Sequence, residues 1–330
     1  MNLRLIEIIL PGENATRIID QLKNEEILDY WREEVFKDEV IIKVLLDANK
    51  TESLMDKLEK KFSNDKRFRM VSIEVKTTIP RPDDPENSTK QNIGRLRVSR
   101  DELYTSASNS VELNYVYFIM IVLSTVIAAI GLYKNSVALI IGSMVIAPLL
   151  SPNIAISLAT VIGDYELEKK GFIAFFLGAG LSLVLSILLG LIFPLDLQFE
   201  EVKSRTSLNY PDLIVAIASG VAGTLAFTTG EMMGVVGVMV AIALLPPLVN
   251  AGMLLGNGHW LSSLGSFLLF TANFASLNLA GVLTFLLQGV RSGNWWEEKK
   301  ARKHRKKVII LWIILILLLA IAIFWKINPK

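Results

Sequence analysis

The chain has 330 residues, 52% of them hydrophobic and 20% charged, with a net charge of +2 and no cysteine. So apolar a composition excludes a wholly water-soluble protein, and the lack of cysteine excludes disulfides and thiol chemistry. A charge this close to zero says little about partners and gives no reason to expect nucleic acid.

The apolar residues are unevenly placed, and residues 1–112 hold much of the charge. The N-terminus, Met1 to Glu7, is too short in apolar run and too charged for a signal peptide, so the first membrane span is expected to direct insertion as well. Residues 1–79 read as a soluble domain. Residues 3–10 (LRLIEIIL) form a strand. Asn14 is expected to cap a helix reaching about Lys23, with Ile18, Ile19 and Leu22 on one face. Residues 26–35 and 39–46 form two more strands. Thr51 is expected to cap a second helix carrying Leu54, Met55, Leu58 and Phe62 at helical spacing. Along 68–76 Arg69, Val71, Ile73 and Val75 alternate with Phe68, Met70, Ser72, Glu74 and Lys76, giving one apolar face. The order βαββαβ is that of the ferredoxin-like split unit. Such domains serve equally as ligand sensors and as assembly modules, and no pocket residue is visible to decide between them.

Residues 80–112 are a linker. Pro80, Pro82 and Pro85 stiffen it, and Ser99 to Glu102 has capping-box spacing for a juxtamembrane helix running through Leu103 and Val111. The membrane domain, 113–290, follows. A helix needs about 18–20 apolar residues to cross the hydrocarbon. Runs of that kind occupy Leu113–Tyr133, Asn135–Gly163, Gly171–Leu195 and Leu213–Gly230. Met232–Val290 holds no Asp, Glu, Lys or Arg and divides into two spans at Gly256-Asn257-Gly258-His259. A basic loop, 291–307, leads to a seventh span at 308–325. The expected fold is an α-helical multi-pass membrane domain with an N-terminal α+β domain.

Residues 142–152 read GSMVIAPLLSP and residues 237–247 read GVMVAIALLPP, which align without a gap at an offset of 95 residues. This points to two repeats, about 113–195 and 211–290. Each holds three spans, so the second enters the membrane from the opposite side. Inverted repeats of this kind occur in secondary transporters, with the site near the midplane where the halves meet. The candidate solute or ion site therefore centres on Gly142, Ser143, Pro148, Ser151, Pro152 and Asn153 and on Gly237, Pro246, Pro247 and Asn250. Pro148, Pro152, Pro246 and Pro247 remove backbone donors and are expected to break both helices at matched places. The blander reading is a pair of kinked helices, packed closely at Gly142 and Gly237. Ser262, Ser266, Asn273, Ser276 and Thr284 fall on one face of the sixth span, where they line a path or bond neighbouring helices. Glu231 is the one acidic residue placed deep enough to join the site, unless it lies in the turn between the fourth and fifth spans. Asp164 and Glu112 read as interfacial.

Lys and Arg set the orientation. With the N-terminus inside, inner segments carry 13 of them, eight after the sixth span, and outer segments carry 5. The soluble domain is then cytoplasmic, the C-terminus outside and the protein in the cell membrane. Lys299, Lys300, Arg302, Lys303, Arg305, Lys306 and Lys307 anchor this topology or hold anionic lipid headgroups.

The stretch LSTVIAAIGLYKNSVALIIGSMVIAPLLSP (123–152) resembles the signature of the prokaryotic family known as domain of unknown function 389, a hydrophobic membrane domain. The resemblance covers about residues 100–290, with Gly142, Met144 and Pro148 at its core. It implies a bacterial or archaeal membrane protein and supplies no substrate. Two functions are expected from the residues. The first is a transporter or channel for a small solute or ion, regulated by its cytoplasmic domain. The second is a receptor or anionic-lipid-binding protein through which nothing passes. Enzymatic activity is not expected. The only histidines, His259 and His304, fall in predicted loops, and no metal, cofactor or nucleophile motif is present. Thin, glycine-rich spans point to a homo-oligomer.

Overall fold

A computed structural model describes residues 3–23, 25–35, 38–62, 65, 67–75, 78, 100–229, 233–290 and 302–317, with 35, 49 and 233–242 described by their backbone. They divide into two compact units, Met1–Glu102 and Leu103–Lys330.

The first unit runs β1 Leu3–Pro11, α1 Gly12–Leu22, β2 Asp29–Val35, β3 Glu39–Asp47, α2 Ala48–Phe62 and β4 Arg69–Val75. The strands make one antiparallel sheet in the order β2-β3-β1-β4. Strand alternation sends Ile6, Ile8, Leu10, Val40, Ile42, Val44 and Leu46 to one face, where Ile18 and Leu22 of α1 and Leu54 and Leu58 of α2 close the core. The apolar face of β4 is the other one: Val71 and Ile73 are exposed, while Met70 packs toward the helices.

The expected caps are corrected here. α1 starts directly at the end of β1, where the Gly12 amide donates to the Asp38 carbonyl at 2.7 Å, so Asn14 lies inside the helix with its amide 3.4 Å from Asp65. α2 likewise follows β3 without a loop, and the Thr51 hydroxyl turns back to the Asp47 carbonyl at 3.5 Å. α3, Arg100–Ser110, begins where the capping-box spacing predicts, although Ser99 itself lies outside the described residues, as does the proline segment. Arg100 reaches Asp56 at 3.0 Å, and Glu102 meets the buried Arg4 at 3.2 Å. The helix stops at Ser110, short of the expected Val111.

The second unit continues with α4 Tyr115–Tyr133, α5 Val137–Ile146, α6 Leu150–Ile162, α7 Tyr165–Ile192, α8 Glu200–Lys203, α9 Tyr210–Thr229, α10 Met233–Gly256 and α11 Trp260–Leu287. A last helix, α12, covers 302–317. Asn114 caps α4 by accepting from the Tyr117 amide at 2.8 Å, and Asp164 caps α7 by accepting from Leu167 at 2.9 Å. Gly258 supplies the left-handed turn, φ +82°, between α10 and α11. The division expected at 256–259 is observed.

Among the described residues four helices, α4, α7, α9 and α11, are long and apolar enough to cross a membrane. α5 and α6 make a fifth span if taken as one, bent by 52°. Their outer surfaces expose Ile119, Leu123, Phe176, Leu188, Ile214 and Leu264, a surface suited to lipid rather than water. The interior is formed by α6 and the second half of α10. Every residue from Pro152 to Val161 and from Ala243 to Leu254 is buried. The seventh expected span, 308–325, is described only to 317.

Two expectations about the paired motif are corrected by this geometry. α5 and α6 are separated at Ala147–Leu149, with Pro148 in the gap, but α10 runs unbroken through Pro246 and Pro247. Gly142 does not permit close approach either, since a Cβ there would meet nothing within 4 Å.

Candidate functional site

The break in the second span creates a new helix start inside the apolar unit. Its first turn has amide groups with no intrahelical acceptor, and Pro152 sits where it needs none. Asn153, 4% exposed, folds back so that Nδ2 donates to the Leu149 carbonyl at 2.7 Å. Its Oδ1 accepts from Nδ2 of Asn278 on α11 at 2.8 Å, and the same Nδ2 donates to the Phe274 carbonyl at 2.9 Å. Ser157, one turn farther along α6, lies 3.4 Å from both oxygens of Asn278. All three side chains are buried in apolar surroundings, where each pairing removes a desolvation cost of about 1–3 kcal/mol.

Close packing of α6, α9 and α11 makes these contacts possible. A Cβ on Gly281 would fall 2.7 Å from the Ser157 hydroxyl and 3.2 Å from that of Thr224. A Cβ on Gly220 would fall 2.8 Å from the Leu277 carbonyl. Between the three helices lies a cavity of about 10 Å³, lined by Leu150, Asn153, Ile154, Ser157, Gly220, Gly223, Thr224 and Leu277. That is about the space one water needs. Its polar lining is neutral: amide and hydroxyl groups with no carboxylate, ammonium or guanidinium.

Polar groups continue beyond the cavity. Gln288 donates to the Thr228 hydroxyl at 2.8 Å between α11 and α9. The Glu168 carboxylate, 5% exposed in the first turn of α7, takes the Thr160 hydroxyl at 3.2 Å and the His304 ring at 2.7 Å. Arg305 donates to the Val161 carbonyl at 3.1 Å, a favourable place for a cation at the C-terminal end of α6. Trp312 then packs edge-on against Phe274 at 5.4 Å, fixing α12 to α11. Nearby, burial and a hydrogen bond to Asp164 push the Tyr104 hydroxyl above the ordinary phenol range.

The sequence-predicted residues fall into separate groups. Asn153 belongs to the cavity, with Pro148 and the half-buried Ser151 at the break beside it. Ser143 is buried one turn before the break and bonds its own helix at Ile140, 2.6 Å away. Asn250 joins a different network, donating to the Val202 carbonyl at 3.2 Å and to Ser266 at 3.0 Å. Asn273 donates to the Ala243 carbonyl at 2.7 Å. Gly237 lies on the backbone of α10, and Glu231 is outside the described residues. Lys299 and Lys300 are outside them too. Arg302, Lys303, Lys306 and Lys307 are exposed on α12, so 302–307 is helical rather than loop, and His304 is a helix residue.

Sequence reasoning passed over Asn278, Ser157, Thr224 and Glu168. Asn278 lies off the polar face assigned to the sixth span. An amide in an uncharged run of that length is itself the signal, because lipid offers it no partner.

The family model described as Domain of unknown function (DUF389) matches residues 144–279, from the last turn of α5 into α11. An uncharacterized protein of Methanocaldococcus jannaschii, MJ0678, is 32% identical over 295 residues, which cover 89% of this chain and 90% of that protein. No solved structure matches the chain. The whole cavity lining lies inside the matched segment, and the relative aligns over nearly its full length: the chain belongs to the family described as domain of unknown function 389.

Proposed function

We propose that the membrane unit is a transporter or channel for a small solute or ion, and that the broken second span carries its site. The observation behind this reading is the helix start at Leu150, with Asn153, Ser157 and Thr224 lining a cavity and Asn278 bonded to Asn153. Interrupted helices whose free backbone groups face a cavity are how transporters bind solutes without fixed charge. Three further buried atoms, Asn250 Oδ1, Asn273 Oδ1 and Ser276 Oγ, have no hydrogen-bond partner among the described residues, which suits an interior that takes up a polar guest. A neutral lining favours a neutral, zwitterionic or singly charged solute.

In this reading the spans on either side of the 193–209 connection are inverted repeats. The N-terminal unit is a ferredoxin-like regulatory domain on the cytoplasmic side, the protein sits in the cell membrane, and it works as a homo-oligomer. The absence of cysteine makes a direct test simple. Ser157→Cys and Thr224→Cys in membranes should react with a small water-soluble thiosulfonate, and the exposed, lipid-side Leu188→Cys should not. Failure of both site cysteines to react, with the protein folded, would refute a water-connected site.

A further inference from the structure

We propose that the open face of the N-terminal sheet is a docking surface for a second copy of the same sheet, packed face to face about a two-fold axis parallel to the strands. The face opposite the α1–α2 core is unusually apolar for one left open. Trp31 is 45% exposed, Ile73 41% and Val71 38%, with Leu5, Ile9, Ile41 and Leu45 half-buried around them. An antiparallel sheet open to water normally alternates polar residues outward.

The strand register identifies the occupant. Reading across β2-β3-β1-β4, one rung of the open face is Glu33, Ile41, Ile9, Arg69. The next is Trp31, Lys43, Glu7, Val71. A two-fold along the strands, between β3 and β1, reverses the order across the sheet and keeps each rung level. The first rung then sets Glu33 over the partner's Arg69, Ile41 over its Ile9, and the converse. The second sets Trp31 over Val71 and Lys43 over Glu7. In these two rungs every charge meets its opposite and every apolar group an apolar group. Within one copy Lys43 already bridges Glu33 at 2.9 Å and Glu7 at 3.7 Å. The opposed Glu7 extends this to a closed network across the interface. The third rung, Asp29, Leu45, Leu5, Ile73, matches at its two central positions and sets Asp29 over Ile73 at the rim, where the charge keeps its water.

Four strands about 4.8 Å apart and some seven residues long at about 3.4 Å each give a face of roughly 20 by 24 Å. Two such faces bury about 900 Å², below the roughly 1,200–2,000 Å² of a stable specific interface. The pairing therefore depends on tethering both copies to one membrane, which raises their effective concentration.

The full-length protein in native membranes or proteoliposomes carries the test, with Ile41→Cys as its sole cysteine and a short bismaleimide as cross-linker. Dimer cross-linking is expected. Adding Glu33→Arg or Arg69→Glu, both at exposed positions, should lower the yield about tenfold through like-charge opposition. Combining the two should restore it. Three results overturn the proposal: no cross-linking while the cysteine still reacts with monofunctional maleimide, protection from maleimide without dimer, or charge reversals that leave the yield unchanged.

Discussion

Residues 142–152 and 237–247 share six of eleven letters, yet the first stretch is bent by 52° between α5 and α6 and the second stays inside one helix. Proline placement separates them first: the break falls at Pro148, whose match at the 95-residue offset is Ala243, whereas Pro247 matches Pro152 in the first turn of α6. Pro247 still frees the carbonyl of Ala243, and there a neighbour takes part. Asn273 on α11 donates to the Ala243 carbonyl at 2.7 Å and supplies the bond that Pro247 cannot. Around the first break no side chain from another helix does this among the described residues. The Asn153 amide reaches back only to Leu149, in its own segment. The residue 95 positions before Asn273 is Gly178, where a side chain would run into the Tyr117 hydroxyl. One half of the unit thus has its ladder repaired, and the other keeps a helix start beside a polar cavity.

The largest effect is expected from removing the repair. Asn273→Leu leaves the Ala243 carbonyl buried and unpaired, at a cost of about 1–3 kcal/mol. α10 should bend at Pro246–Pro247 as α5–α6 does. Spin-label distances between its ends would shorten, and hydrogen exchange would rise near Ala243. An unchanged α10 would show that packing alone holds the helix straight.

The prolines give the next contrast. Pro148→Ala should extend helix across the gap and shift Asn153 away from Asn278, whereas Pro247→Ala should leave α10 straight, since its freed carbonyl is already served. Matched structures of the two variants, or label distances across each span, check this. Equal effects would remove the distinction.

Smaller still is the coupling at the cavity. A double-mutant cycle on Asn153→Leu and Asn278→Leu should give an interaction energy of about 0.6 kcal/mol, and below about 1.7, in thermal unfolding in detergent. The smallest effect on overall stability is expected at α12. His304→Ala removes one partner of Glu168 while Thr160 remains, so the helix should loosen locally and protease cleavage near 302–307 should quicken. The rest of the unit should unfold as before.

The sequence is most legible where one physical rule acts alone. Apolar run length marks the helices that can cross, and the turn at 256–259 stands out because Gly and Asn interrupt an uncharged stretch. Tertiary partners hide the rest. The bond that serves the Ala243 carbonyl in α10 comes from Asn273, which no reading of 237–247 contains. Asn14 and Thr51 have capping chemistry, but the strands before them feed directly into helix and leave them inside it. Glu168 reads as one of several charges beside Lys169 and Lys170, and only the fold brings Thr160 and His304 to it. Asn278 is invisible to a face drawn through Asn273, because five residues along a helix turn it well away from that face.

Solute uptake into proteoliposomes, comparing Asn153→Leu with Pro247→Ala, tests the central claim most directly. A panel of small neutral, zwitterionic and singly charged solutes would be screened with the wild-type protein first. Asn153→Leu should abolish uptake of whichever solute passes, and Pro247→Ala should retain it. Equal uptake by both variants, or no passage of any solute through the wild type, would contradict a transport site at the broken span.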